Sequence, residues 1–400
     1  MTDYMRDMPA GLFKRLVALR RRIHRWPEPA HQEVRTAAEV IRQLTRLGLS
    51  YRSGVGGGTG VVARLDTGVP GPVVALRADM DGLPVHEKTG LPFASRRAGL
   101  MHACGHDGHI AILLGAAELL KKRPPASGSV VFLFQPAEES RGGALTLIRE
   151  GALNGVSMVF GGHLDSHYRV GEVGIRPEMD SAFTDEITVR IVGRGGHAAR
   201  PHEAVDAVLI ASLFVVQLQS IVSRSTDPLH PAVVHVGSVH AGTAPNAIAD
   251  EALLRGTIRN THAPTRAEVI RRVKKTAEAM AGLHGAVIEV TVDEGYPPVV
   301  NHPAAYALAR DVAEDMLGRE HVVAVKTPSM GGEDFAYYLQ QVPGCFVRIG
   351  SDTGNPVATA HSSFFDFDEA AIGVGAVYFA ALARRAVDAL AAGGDGGHGA

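Results

Sequence analysis

The feature that most constrains this chain is an alternation of short, wholly apolar runs with helical ones. Residues 73–80, 130–134 and 156–160 are brief apolar stretches, and 110–122 and 144–150 between them carry helical periodicity. Strands that are apolar on both faces must be covered on both faces, and intervening helices supply the crossovers that parallel strands need. The expected fold class is therefore α/β, with a mostly parallel sheet and flanking helices. Upstream, Leu12, Leu16, Leu19 and Ile23 recur at helical spacing, and a second helix is expected over 36–47, after the break at Pro27-Glu28-Pro29.

The style then changes. Residues 186–193 alternate like a half-exposed strand, 202–225 read as a long helix, and 232–239, 251–259 and 286–292 read as strands around a helix at 265–282. Strands and helices that segregate this way suggest an α+β insert, placed at 184–294. After Tyr296-Pro297-Pro298 the first style resumes up to about residue 392, so 1–183 and 295–400 form one domain. The tail from 391 onward is too glycine-rich and polar to pack and is expected to be disordered.

Composition narrows the partners. Forty Lys and Arg face 42 Asp and Glu, a formal net charge of -2, without the basic footprint of a nucleic-acid binder. Two cysteines, Cys104 and Cys345, cannot build a disulfide framework and fit a reducing compartment. The N-terminus shows no charged n-region followed by an apolar h-region. No unbroken run of about 18 apolar residues occurs, so no membrane span is expected. The expectation is a cytoplasmic protein.

The densest chemical signal is Met101-His102-Ala103-Cys104-Gly105-His106-Asp107-Gly108-His109, a thiol, three imidazoles and a carboxylate ahead of an apolar helix. Cysteine and histidine are the usual sulfur and nitrogen ligands of zinc and related metals. Cys104 and His106, either side of a turn eased by Gly105, can point at one ion. A chance grouping near a helix start is the competing reading. Phe134-Gln135-Pro136-Ala137-Glu138-Glu139 follows a buried strand, where α/β sheets place ligands. Neighbouring side chains on an extended backbone point opposite ways, so one carboxylate can bind a metal while the other faces substrate as a base. Acids also favour a helix's first turn, and the motif alone leaves both readings open.

Gly161-Gly162-His163 and the His361 loop add imidazoles after a strand and in a later loop. A lone histidine is more often structural; these gain weight only as part of the set. In the insert, Gly193–His202 carries His197 among two arginines, with Asn246 and Arg259 further on; these suit a substrate carboxylate or an oxyanion, or are ordinary turn and surface chemistry. The glycine-rich stretch 54–60 matches neither G-x-G-x-x-G nor a P-loop, and neither a G-x-S-x-G elbow nor H-E-x-x-H occurs.

Taken together, HRWPEPAHQE, ALRADMDGLPV, MHACGHDGHIAILLGAA, FQPAEES, GRGGHAARPHEAVDA, GTAPNAIAD, MGGEDFAYYLQQVPG and the His361 loop resemble metallopeptidase family M20. They resemble in particular its amidohydrolase branch, which acts on N-acyl amino acids (aminoacylases, hippurate hydrolases and indoleacetyl-amino-acid hydrolases). The resemblance runs from about His24 onward. It implies a catalytic α/β domain and an inserted lid that also forms a homodimer. It implies one or two divalent ions (Zn, Mn, Co or Ni) held by Cys104, His106, Glu139, His163 and His361. Glu138 would be the general base and Asp81 an orienting acid, while His197, Asn246 and Arg259 would meet the substrate or its oxyanion. The substrate would be a small N-acyl amino acid or short peptide. Two departures stand out: Leu164–Arg169 replaces the aromatic and proline that follow this histidine in the family, and Gly332 stands where Ser is frequent.

The mechanism expected is hydrolysis by water activated on a metal, with Glu138 moving the proton. Three competitors remain at this level: a dipeptidase or aminopeptidase of the same superfamily, a metal-dependent binding protein without catalysis, and an amidase with Cys104 as nucleophile.

Overall fold

The computed structural model describes residues 7–140 and 142–394. They divide into two compact units. The first holds the chain up to Asp180, Val299–Thr327 and the chain from Asp334 onward; the second holds Ser181–Pro298 and Pro328–Glu333. The insert thus begins and ends a few residues outside the expected 184–294, and it takes in a short later segment that the sequence reading assigns to the first domain.

The first unit is built on an eight-stranded sheet. In chain order its first six strands are β1 (Ser50–Val55), β2 (Gly60–Asp66), β3 (Val73–Asp79), β4 (Ser129–Gln135), β5 (Met158–Asp165) and β6 (Val173–Ile175). Two more, Val322–Ala324 and Gly344–Gly350, follow the insert. The spatial order is β1-β2-β4-β3-β5, then Gly344–Gly350, β6 and Val322–Ala324. β4, β3, β5 and Gly344–Gly350 pair in parallel, as do β6 and Val322–Ala324. The β1–β2, β2–β4 and Gly344–Gly350–β6 pairs are antiparallel. The sheet is therefore mostly rather than wholly parallel. The glycine-rich stretch 54–60 is the turn of the β1–β2 hairpin.

Alternation along the strands divides the apolar residues between two cores. Val74, Leu76 and Ala78 of β3, with Val130, Phe132 and Phe134 of β4, join the core formed with helices α1 (Ala10–His24), α2 (Val34–Leu47), α3 (His106–Lys122), Pro303–Leu317 and Ala370–Gly394. Val73, Ala75, Val131 and Leu133 face the other way, against Gly143–Arg149 and Ala336–Leu339. α3 is buried on nearly every side. That explains the apolar run over its middle, residues 110–117.

The second unit has a four-stranded antiparallel sheet, in the order Ala232–Ala241, Glu251–Asn260, Phe183–Val192, Val287–Glu294. Helices Ala207–Ser225 and Ala263–His284 pack on it through Ile210, Phe214, Leu218, Val269 and Val273. The long helix expected over 202–225 starts only at Ala207, because a 3-10 turn at Pro201–Glu203 precedes it. Asp206 caps its start, accepting the N–H groups of Val208 and Leu209.

Among the described residues, two helices, Ala207–Ser225 and Ala370–Gly393, are long and apolar enough to cross a membrane by length and composition. The sequence search for an unbroken run passes over both. Burial takes up 78% of the apolar window of the second but 33% of the first. The last helix also runs through residues 391–394, where the tail is expected to be disordered; 395–400 lie outside the described residues.

Candidate metal centre

Parallel pairing sets the C-terminal ends of β3, β4 and β5 along one edge of the sheet, where α/β proteins gather ligands. α3 begins at the same edge. Its N-cap, Gly105, has φ 83, a left-handed turn that a Cβ would strain. The turn places Cys104 just before the helix and His106 in its first turn.

The structure brings seven of the expected residues to this edge. Ligand atoms of Cys104, His106 and His163 lie within 4.8 Å of one another, and so do those of Cys104, Glu139 and His361. The two groups share Cys104. His106, Glu138 and Glu139 form a third such group. Asp81 sits behind them: it accepts the backbone N–H of Glu138 at 3.0 Å and of Glu139 at 3.1 Å. Its carboxylate also lies 3.3 Å from His106 Nδ1.

One expectation needs correction. Glu138 and Glu139 do not alternate on an extended strand. β4 ends at Gln135, and Ala137 then turns the chain at φ 54. Both carboxylates follow this turn, and Asp81 grips the N–H group of each. Glu138 is buried, and its Oε1 accepts the Asp334 N–H at 3.4 Å.

Hydrogen bonds orient the imidazoles. His163 Nδ1 donates to the Leu164 carbonyl at 2.6 Å, leaving Nε2 to face Cys104 Sγ at 3.2 Å. His109 Nδ1 bonds Asp79 Oδ1 at 2.7 Å, and its Nε2 accepts the Leu164 N–H at 3.0 Å. Both nitrogens of His109 are thereby used, so it braces the end of β5 although it belongs to a further ligand-like group with Asp79 and His106. His102 belongs to none of the ligand groups; burial pushes its pKa down to about 4. Asp107 is wholly buried and bonds Arg20 at 2.8 Å and His24 at 2.9 Å.

The residues fit a cation. Both nitrogens of His106 and Glu139 Oε1 are buried with no well-aligned hydrogen bond, although Asp81 lies 3.3 Å from His106 Nδ1 and His361 Nε2 lies 3.2 Å from Glu139 Oε1; an ion would complete these atoms. Burial alone would make His106 less basic, yet Asp79, Asp81 and Glu139 outweigh it and push the pKa up to about 10. The cluster is thus short of positive charge. Burial pushes the Cys104 thiol well above its usual range, and Glu139, Glu138 and Asp79 push it further. A sulfur, nitrogen and oxygen donor set of this kind suits zinc-like divalent ions.

His197, Asn246 and Arg259 belong to the second unit. His197 pairs with Ala247 in a two-stranded ribbon, and the Ala198 N–H donates to the Asn246 carbonyl at 3.1 Å. Arg259, on Glu251–Asn260, is partly buried and donates to Thr257 Oγ1 at 2.9 Å. Asp79, His109 and Glu33 lie within the motifs named above but receive no individual role from the sequence. The first lies two residues before Asp81 at a strand end, and the second three residues after His106 on one helix face, spacings that signal shared direction.

The sequence pattern of peptidase family M20/M25/M40 matches residues 75–385. The chain is 39% identical over 378 residues to an N-acetyl-L-cysteine deacetylase of Bacillus subtilis, covering 94% of this chain and 89% of that protein. It is 37% identical over 374 residues to thermostable carboxypeptidase 1 of Saccharolobus solfataricus, covering 92% of this chain and 94% of that one. Among solved structures, the YxeP protein of Bacillus subtilis, described as a dinuclear metal binding peptidase from the M20 family, superposes with a TM-score of 0.81 at 35% identity. That match covers 95% of this chain and 99% of the other.

Proposed function

Because the chain belongs to peptidase family M20/M25/M40 and is a metal-dependent hydrolase of that family, we propose that it cleaves the amide bond of N-acyl amino acids. The observation that carries the reading is the pair Glu138–Glu139. Glu139 shares a ligand group with Cys104 and His361, while Glu138 stands beside it in a second group with His106. A binder needs the ligand but has no use for the neighbouring acid.

In this reading Cys104, His106, Glu139, His163 and His361 hold one or two ions. A divalent ion there would lower the pKa of a bound water and polarise the scissile carbonyl. Glu138 takes a proton from the attacking water and returns it to the leaving amine. Asp81, through both backbone N–H groups, keeps the two glutamates in place. Contacts of His197, Asn246 and Arg259 with the substrate belong to the same proposal, as do a homodimer and a cytoplasmic setting.

The Cys104-nucleophile reading meets a physical obstacle. A thiol nucleophile needs a depressed pKa, and burial and three acids push this one upward. A peptidase reading is favoured by the likeness to a carboxypeptidase and to a solved structure described as a peptidase. The test is hydrolysis of N-acetyl and N-benzoyl amino acids against unblocked dipeptides, after chelator stripping and reloading with Zn, Mn, Co or Ni. Activity on blocked substrates that dies on stripping and returns with one metal supports the proposal. Turnover of unblocked dipeptides alone replaces it with the peptidase reading.

A further inference from the structure

Ala137, the residue before the two glutamates, is fully buried and sits at φ 54. A side chain with a Cβ resists this left-handed conformation, because the Cβ crowds the neighbouring carbonyl oxygen. His31, far away in sequence, has φ 61. The two share an anchor. Glu33 Oε1 accepts the N–H of Ala137 at 2.9 Å and the N–H of His31 at 3.0 Å, while its Oε2 accepts the Thr59 hydroxyl at 2.6 Å. Glu33 is wholly buried. Three donors surround a carboxylate that touches none of the ligand groups.

We propose that Glu33 is a positioning residue: by holding the Ala137 N–H it fixes the left-handed turn that aims Glu138 and Glu139. The local logic is strict. Without a partner, the buried Ala137 N–H is unsatisfied and nothing offsets the strain at its Cα, so the turn relaxes toward negative φ. The peptide planes leading into Glu138 and Glu139 rotate with it, and Asp81 loses its alignment with their N–H groups. Glu33 reaches this turn from the residue preceding α2, so the N-terminal helical pair acts on the site through one carboxylate. The inference rests on the reading in which Glu138 is the base and Glu139 a ligand.

The experiment uses the full chain with Glu33→Ala, Glu33→Gln, Thr59→Val and Ala137→Gly, and the last combined with Glu33→Ala. Hydrogen exchange is followed in chelator-stripped protein, and kcat and KM are measured in metal-loaded protein. The proposal expects Glu33→Ala to speed exchange over 137–140 at least ten-fold, on the order of an opened buried turn, with the rest of the sheet unchanged. It expects kcat to fall about a hundred-fold, the scale of a small misplacement, with KM little changed. Glu33→Gln, which keeps an acceptor oxygen, restores most of both. A glycine in place of Ala137 removes the strain, so the loss caused by Glu33→Ala shrinks several-fold when measured from the Ala137→Gly parent. A purely structural role predicts instead lower stability, uniform loosening and an undiminished loss in the Ala137→Gly background; that result overturns the proposal. If Glu33→Ala does not fold, Thr59→Val decides, since it removes the donor that holds Glu33 Oε2 and leaves the turn's own residues unaltered: unchanged exchange over 137–140 sinks the idea. If wild-type protein cleaves no amide, the functional reading fails, and the exchange pattern alone still accepts or rejects the role of Glu33.

Discussion

Cys104 Sγ lies 3.2 Å from His163 Nε2, a nitrogen left free by the bond from Nδ1 to the Leu164 carbonyl. Thiol and imidazole converge from α3's start and β5's end, with the acid-rich cluster beside them. A divalent ion binding there stabilises the folded state by an amount that grows with the logarithm of its concentration relative to Kd. At a thousand-fold excess over Kd the gain is about 4 kcal/mol. Thermal unfolding of chelated protein should therefore move upward on adding Zn or Mn, and His106→Ala should abolish most of that movement. An equal shift in the variant would remove His106 from the ligand set.

Glu138→Gln keeps the shape and the Asp81 contacts of the backbone but removes the base. The expected outcome is a fall in kcat of about 10²–10⁴-fold, with metal stoichiometry and melting temperature close to wild type. Full turnover in this variant, measured on the best substrate of the N-acyl panel, would reassign the proton transfer.

Arg20 is wholly buried and reaches Asp107 at 2.8 Å, Asp366 at 3.2 Å and Glu369 at 3.2 Å. Truncating it leaves Asp107 charged and undercompensated inside the protein. Arg20→Ala is expected to lower stability by roughly 3–5 kcal/mol, read from urea unfolding. A loss below about 1 kcal/mol, the surface-pair range, would mean that water reaches this network.

Glu118 bridges Arg15 of α1, Arg46 of α2 and Lys122 of α3. Burial raises its pKa, but these three cations outweigh that and bring it down from 4.5 to about 2. A carboxylate depressed on folding stabilises the protein above its unfolded value, and that contribution drains as pH falls from 4.5 toward about 2. Denaturation midpoints of wild type and Glu118→Gln should differ at a pH of about 6 and draw together across this window. A gap independent of pH would assign Glu118 no electrostatic part in the packing.

Much of the frame is legible in the sequence because its signals are local. The apolar runs of β3, β4 and β5 and the spacing along α1 and α2 are one-dimensional patterns. The ligand residues are legible because Cys104 and His106, and Glu138 and Glu139, lie in compact motifs. β1 escapes notice because all but one of its residues are exposed at the sheet edge, and β6 because three residues make no pattern. The insert's second piece, Pro328–Glu333, is joined by spatial contact, not by sequence. The turn at Ala137 is hidden for a related reason. Its left-handed backbone is held by Glu33 from 104 residues away, which no window on the motif contains.

The strand Gly344–Gly350 lies between β5 and β6, and β6 has no other sheet neighbour than this strand and Val322–Ala324. Both partners of β6 therefore emerge from the ribosome only after the insert has been made. The insert's own sheet, by contrast, is complete within Phe183–Glu294: Ala232–Ala241 and Glu251–Asn260 form a local pair, and Phe183–Val192 finds both its partners before the insert ends. Long-range parallel pairing is slow and leaves strand edges open in the meantime. During synthesis the inserted unit has its whole sheet in hand, while β5 and β6 wait with exposed apolar edges. That interval is when this chain is most open to aggregation and to chaperone binding.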